Sequence, residues 1–384
     1  MKRGLVALAI VTFALGIAEF GMMGILGDVA KGTGVDISRA GHFISAYSLG
    51  VAVGAPMLIV LRRMPLRKLL LVLVSVILAG NALAALSGGY YMLLAARFVS
   101  GLPHGAFFGA GAIVCSRLAA PGRGAAAVAV MVGGMTVANV VGVPLATFLA
   151  NLVNWRAAFA VTALCAALGI FAIRGWVPVL SALPDTGVRG QFAFLRKPEP
   201  WLIYAGVFFG QASVYCYFSY VEPIMTHVAG FPAMDMTWIM MLAGLGMVLG
   251  NAFAGRLADR YGEARVSGTI AALLVLIMPA VYFCAAFKVP SVVLMFLATA
   301  GLFGIGGPLQ YLIVRYAKGG EMLGGAGIQI AFNVSNAVSA MLGGMLIHHG
   351  FSLASPALAG VPFAITGAAA LFVLCHKEHR SKVG

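Results

Sequence analysis

Long apolar stretches, broken by short polar loops, recur along all 384 residues. A helix needs about 20 apolar residues to cross the hydrocarbon core of a bilayer. Windows of that length predict twelve spans, near 4–27, 40–61, 69–87, 91–115, 124–150, 157–178, 200–225, 236–257, 265–286, 290–314, 322–347 and 357–375. Most loops are short. The longest, 179–199, divides the spans six and six, and Pro184, Asp185, Gly187, Arg189, Gly190, Arg196, Lys197 and Pro198 make it a polar, turn-rich linker. The expected domains are an N-terminal six-helix bundle over 1–178, a cytoplasmic linker over 179–199 and a C-terminal six-helix bundle over 200–384.

Composition supports lipid as the surrounding solvent. Apolar residues make up 61% of the chain and charged residues 9%, with a mean hydropathy of +1.00. A soluble domain runs near 45–50% and about 25%. The 50 glycines suit helices that approach closely in a membrane. Lys2 and Arg3 resemble the start of a signal peptide, but the first apolar run is long and more spans follow, so it reads as a span. The cysteines Cys115, Cys165, Cys216, Cys284 and Cys375 lie in or beside apolar runs without paired spacing, which suits buried thiols rather than disulfides or a metal.

The net charge of +14 raises the question of nucleic acid. Its distribution answers it. Of 25 Lys and Arg residues, only Lys31, Arg39, Arg156 and Lys288 fall in one set of alternate loops and Arg97 falls inside a span; the rest fall in the other set, with both termini. Basic residues favour the cytoplasmic side. The pattern predicts a multi-pass protein, of the bacterial inner membrane, with both termini cytoplasmic and no nucleic-acid partner.

Short basic loops follow the second span ("LRRMPLRK", 61–68) and the eighth ("GRLADRYGEAR", 255–265). Repeated halves of this kind describe many secondary transporters. The stretch Gly255–Gly262, "GRLADRYG", resembles the G-x-L-A-D-R-x-G signature of the major facilitator superfamily. "RFVSGLPHGAFFG" (97–109), "GGMTVANVVGVPLATFL" (133–149) and "NWRAAF" (154–159) resemble the drug:proton antiporter branch. "AEFGMMGIL", "GMTVANVVGVPL" and "AKGGEMLGGAGIQIAFN" look like its AraJ-type exporters of sugars or drugs. The resemblance implies an all-α membrane protein with twelve transmembrane helices in two pseudo-symmetric six-helix bundles. It also implies a cytoplasmic latch between spans 8 and 11. Gly255 would permit close packing there, Gly262 a tight turn, and Asp259 and Arg260 would pair with a helix end or an opposite charge. The 61–68 loop lacks the Asp and both glycines, so the first half has no matching latch residues.

Glu19 sits within the first span. A charge at the bilayer centre costs about 2.5–3.5 kcal/mol on insertion scales, so such groups face a cavity or a partner. Low dielectric favours the neutral carboxyl, which would let Glu19 carry protons. A structural ion pair with Arg97 is the alternative, and the two readings overlap. Arg97, Gly101 and His104 fall at i, i+4 and i+7 on one face of the fourth span, extended by Phe108. Arg97 needs a carboxylate, carbonyl or water. His104 is either a satisfied core residue or a proton relay. In the second half, Gln329, Asn333 and Asn336 share a face, as do Gln211, Tyr215 and Glu222. Gln310 lies just past Pro308, where a break is expected. The amides and the phenol would bind substrate or bond between helices, and Glu222 reads as an outer gate.

No H-E-x-x-H, G-x-S-x-G or P-loop is present, which argues against an enzyme and against ATP as the direct energy source. The expected function is a proton-coupled antiporter exporting small molecules. It would use no cofactor beyond a proton gradient and no metal, and work as a monomer in contact with lipid. An uncoupled facilitator, an importer and a non-transporting ligand sensor are the rivals.

Overall fold

The computed structural model describes residues 2–56, 61, 63–120, 124–181, 190–318 and 320–383, with main chain alone for Lys2, 125–126, 190–191, 321–322 and 379–383. Arg62, Arg123 and residues 182–189 of the linker, including Pro184, Asp185, Gly187 and Arg189, lie outside the described residues. The elements among the described residues are all helical. Residues Met1–Thr186 with Met234–Met241 form one compact unit, and Gly187–Ala233 with Leu242–Gly384 form another.

In the first unit, α1 (Lys2–Phe20) passes into a 3-10 turn at Gly21–Gly24 and a short helix α2 (Leu26–Thr33). Helix α3 (Ile37–Gly54) starts where the Asp36 carboxylate accepts from Arg39 N at 2.7 Å, a side-chain N-cap. There follow α4 (Leu66–Ala85), α5 (Tyr90–Gly101) and α6 (Pro103–Leu118). Next come α7 (Gly124–Val137), a π-helical turn at Ala138–Gly142, α8 (Val143–Leu152) and α9 (Arg156–Trp176). The second unit holds α10 (Pro198–Phe218), the single turn α11 (Val221–Pro223) and a π-helical turn at Ile224–Val228. After these come α12 (Met236–Tyr261), assigned to this unit from Leu242 onward, then α13 (Glu263–Cys284), α14 (Lys288–Tyr316), α15 (Glu321–His348) and α16 (Ser355–Val383).

Ten helical stretches among the described residues are long and apolar enough to span a membrane, so the count of twelve is not reproduced by that criterion. The two expected spans that fall outside it are the regions of α3 and α10. Both are helical, but Arg39, His42 and three serines dilute α3, and Gln211 with three tyrosines dilutes α10. The three serines of α3 are turned inward, as is α10 from Gly210 to Phe218, whereas Arg39 is exposed.

The same neighbours recur in each unit. Helix α1 packs on α7 and α9, and α10 packs on α15 and α16. Helix α4 packs on α9, and α13 on α16. Helix α3 meets α5, and α12 meets α14 through Gly246 and Gly250, whose added Cβ atoms would strike Phe296 and Ala300. Small residues set these distances, since lipid offers helices no hydrophobic drive to associate. Against α1, a Cβ on Gly134 would meet Ala9 O and one on Gly16 would meet the Ala138 side chain, while Thr12 donates to Met131 O. That is the packing role of the glycine-rich stretch at 133–149.

Close approach matters most where α3 crosses α5 and α6. Cβ atoms on Gly50, Gly54 and Gly101 would strike the carbonyls of Phe98, Leu102 and Tyr47 respectively. These are main-chain atoms and cannot swing aside. Gly101→Ala is therefore expected to cost about 1–3 kcal/mol, the range for overpacking, read as a lower unfolding midpoint in detergent. An unchanged midpoint would contradict this packing.

Candidate functional site

The first unit gathers Glu19, Tyr47, Arg97 and His104 into one buried cluster, each no more than 1% exposed. Glu19 lies in the last turn of α1, just before the Gly21–Gly24 turn, rather than in mid-helix. The fourth span is not one straight face. It breaks at Leu102, because Pro103 opens α6 without an N–H to give. Arg97 sits before that break and His104 after it, and Tyr47 of α3 touches both.

Arg97 makes no ion pair with Glu19, which corrects the structural-pair expectation. Its Nη1 donates to Ala18 O at 2.7 Å and its Nε to Phe43 O at 3.3 Å. Its guanidinium lies over the rings of Tyr47, at 4.4 Å, and Phe159, at 5.8 Å. Two carbonyl dipoles and two aromatic faces thus hold a buried cation, an arrangement suited to the planar fork of Arg. Nη2 meets no acceptor among the described residues.

Glu19 is left unclaimed. Neither carboxyl oxygen takes a hydrogen bond from a described residue. The nearest partner is His104, whose Nε2 stands 3.9 Å from Oε2, beyond hydrogen-bond length. The other ring nitrogen, Nδ1, is 2.8 Å from the Tyr47 hydroxyl, and Phe108 stacks on the ring at 5.3 Å. If the Tyr47 O–H donates to Nδ1, the proton of neutral His104 sits on Nε2 and points to Glu19. A shift of about 1 Å would then close the gap to a hydrogen bond. Tyr47 escaped the sequence reading; its only signal was an aromatic hydroxyl among serines in the first-half span that is least apolar.

In the second unit, Gln211 of α10 donates Nε2 to Leu302 O at 3.3 Å, and Asn333 of α15 donates Nδ2 to Gln329 O at 3.1 Å. Asn336 and Asn333 are buried, Gln329 and Gln310 half-buried. Tyr215 meets Phe332 edge-to-face at 5.4 Å, and Phe332 meets Phe303 at 6.3 Å. The expected break at Pro308 is absent. Helix α14 runs through it to Tyr316, as membrane helices can when neighbours satisfy the freed carbonyl. Glu222 does not share the α10 face with Gln211 and Tyr215, since α10 ends at Phe218. It is buried in α11, where Thr226 donates to its Oε1 at 3.3 Å.

The 255–265 turn departs from its expected latch. Gly262, at φ +91, makes the tight turn as expected. No atom of a described residue lies within 4 Å of where a Cβ on Gly255 would stand, so no close packing is seen there. Asp259 is exposed and makes no hydrogen bond or ion pair among the described residues, and Arg260 lies over the Tyr261 ring at 5.2 Å. The ion pair at this turn is instead Glu263 to Arg315 Nη1, at 2.9 Å.

Ten apolar spans and buried ionisable groups within them define a multi-pass integral membrane protein. Comparison with known proteins specifies the class. The Major Facilitator Superfamily profile matches residues 8–328 and 203–383. AraJ of Escherichia coli strain K12 is 47% identical over 353 residues, 92% of this chain and 90% of AraJ. A chloramphenicol resistance protein of Streptomyces lividans is 29% identical over 354 residues, 91% of this chain and 90% of the relative. Among solved structures, an inward-facing bacterial homologue of the human lysosomal transporter Spinster superposes with a TM-score of 0.75 at 15% identity, covering 97% of this chain and 96% of that one. The chain belongs to the major facilitator superfamily; it is a transporter and not an enzyme.

Proposed function

We propose that this transporter is a proton-coupled exporter of small molecules, working by alternating access in the bacterial inner membrane. One observation carries the reading: Glu19 is fully buried, takes no hydrogen bond from a described residue, and faces a histidine just beyond bonding distance. A carboxyl kept only for structure would be bonded, because an unbonded buried acid is costly. An acid that must gain and lose a proton gains from having no fixed partner. Glu19 would take a proton from the outer side, and loss of that proton inward would drive the cycle. His104 and Tyr47 would relay it, and Arg97 would hold α1 and α3 in place through their carbonyls.

The wider architecture follows the same reading. α3 and α10 complete twelve spans, the two units are pseudo-symmetric bundles joined by the 179–199 linker, and both termini are cytoplasmic. The repeated packing pattern and the one-sided Lys and Arg distribution support this. Gln211, Tyr215, Gln310, Gln329, Asn333 and Asn336 would contact substrate, and Glu222, Gly255, Asp259, Arg260 and Gly262 would belong to the gates. The protein would act as a monomer, with no cofactor beyond the proton gradient. Amphipathic drugs are the substrate class suggested by the name of the chloramphenicol resistance relative, and sugars the class suggested by the resemblance in sequence. Counterflow in proteoliposomes against a ligand panel, with and without an imposed proton gradient, tests the reading. Uphill movement only with the gradient supports it, whereas equal flux in both conditions identifies an uncoupled facilitator.

A further inference from the structure

The bonds made by the second-unit amides fix which end of each is oxygen. The carbonyls of Leu302 and Gln329 can only accept, so the NH2 groups of Gln211 and Asn333 must face them. What remains is Gln211 Oε1 and Asn333 Oδ1, two acceptors that meet no donor among the described residues. Asn336 bonds through neither its oxygen nor its nitrogen, though it is 1% exposed. Buried amides are normally satisfied, and here three on two helices are not.

Aromatic rings adjoin them. Tyr215 lies one turn along α10 from Gln211, and Phe332 one turn along α15 from Asn336, so each ring shares a face with an amide. Phe303, next to Leu302, closes the set on α14. Phe303 and Phe332 keep part of their surface exposed, while Gln211, Asn333 and Asn336 are buried. None of these residues carries charge.

We propose that this cluster of α10, α14 and α15 is a binding subsite for a neutral ligand with a planar apolar body and several O–H or N–H donors. The proposal rests on the exporter reading of the same amides and narrows it. Surplus carbonyl oxygens favour donors. A carboxylate or phosphate would set oxygen against oxygen and lose its hydration with no cation in the cluster to replace it. The ring faces of Phe303 and Phe332 favour a flat apolar partner over a bare polyol.

Chloramphenicol is a suitable probe: it is neutral, aromatic, and carries hydroxyls and an amide N–H. Its succinate ester is anionic, and arabinose lacks the ring. Calorimetric titration of the purified full chain in detergent should show chloramphenicol binding, with the ester and arabinose at least about tenfold weaker. Asn336→Leu should weaken chloramphenicol by a similar factor and raise the unfolding midpoint, because Leu has a similar shape and no unsatisfied amide. The ester binding as tightly as its parent, no binding by chloramphenicol, unchanged binding by Asn336→Leu, or a lowered midpoint in that variant would each overturn the proposal. Failure here with gradient-driven export of some other compound would discard the ligand class and leave export standing. Chloramphenicol binding without gradient-driven flux would do the reverse.

Discussion

Glu19→Gln abolishes gradient-driven accumulation in proteoliposomes while the protein folds and still exchanges substrate across the membrane. That is the largest expected effect. For a neutral substrate, one inward proton supplies about 2.3 kcal/mol per 100 mV, which sustains roughly a fifty-fold gradient at 1.4 kcal/mol per tenfold. Gln keeps the shape of the side chain but cannot release a proton, so the ratio should fall to about one. Folding should survive. The carboxyl oxygens take no hydrogen bond from a described residue, and the His104 contact at 3.9 Å is not a hydrogen bond. Counterflow, which needs no gradient, is the control. Retained accumulation by the Gln variant would remove Glu19 from the mechanism.

The second large effect falls on Arg97. Arg97→Lys keeps the charge but not the fork. A lysine has one nitrogen to share between Ala18 O and Phe43 O, and no flat face to lay over Tyr47. A hydrogen bond to a charged group is worth about 1.5–3 kcal/mol, so losing one lowers stability by about that amount. Thermal unfolding in detergent reads it directly. Transport should fall as well, because Arg97 ties α5 to the end of α1 beside Glu19. A Lys variant as stable and as active as the parent would show that the two carbonyl contacts are incidental.

Much of this arrangement is legible in the residues. The apolar periodicity marks the helices, and the charges inside them, Glu19 and Arg97, mark the first-unit cluster. His104 follows from its spacing to Arg97. What the residues hide is main-chain chemistry. Arg97 is held by the carbonyls of Ala18 and Phe43, and a backbone acceptor has no letter of its own. The alternative of an ion pair with Glu19 is not realised, because Nε and Nη1 of Arg97 are taken by main-chain carbonyls instead. Tyr47 stayed hidden because its hydroxyl matters only once Gly50, Gly54 and Gly101 bring α3 against α5 and α6.

The residues did not place the breaks: the one expected at Pro308 is absent, and the one at Pro103 was not expected. Pro103 splits the fourth span, whereas Pro308 leaves α14 whole. The residue type is the same, so the outcome depends on which neighbours take up the freed carbonyl. The 255–265 turn shows the converse. Its wording matches a known signature, yet among the described residues Asp259 makes no hydrogen bond or ion pair, and Glu263, outside the signature, carries one. The α3 and α10 regions depart from a hydropathy criterion because helices that carry inward polar groups are diluted by them.

The central claim is that a buried carboxyl on α1 exchanges its proton in step with substrate. Proton release on ligand addition, measured by a pH dye in lightly buffered detergent solution across the neutral range, tests it most directly. The account predicts that binding of a transported ligand releases protons from the parent protein and none from Glu19→Gln, with both proteins binding. Equal release from the two proteins, or binding by the parent with no release at any pH, would contradict it.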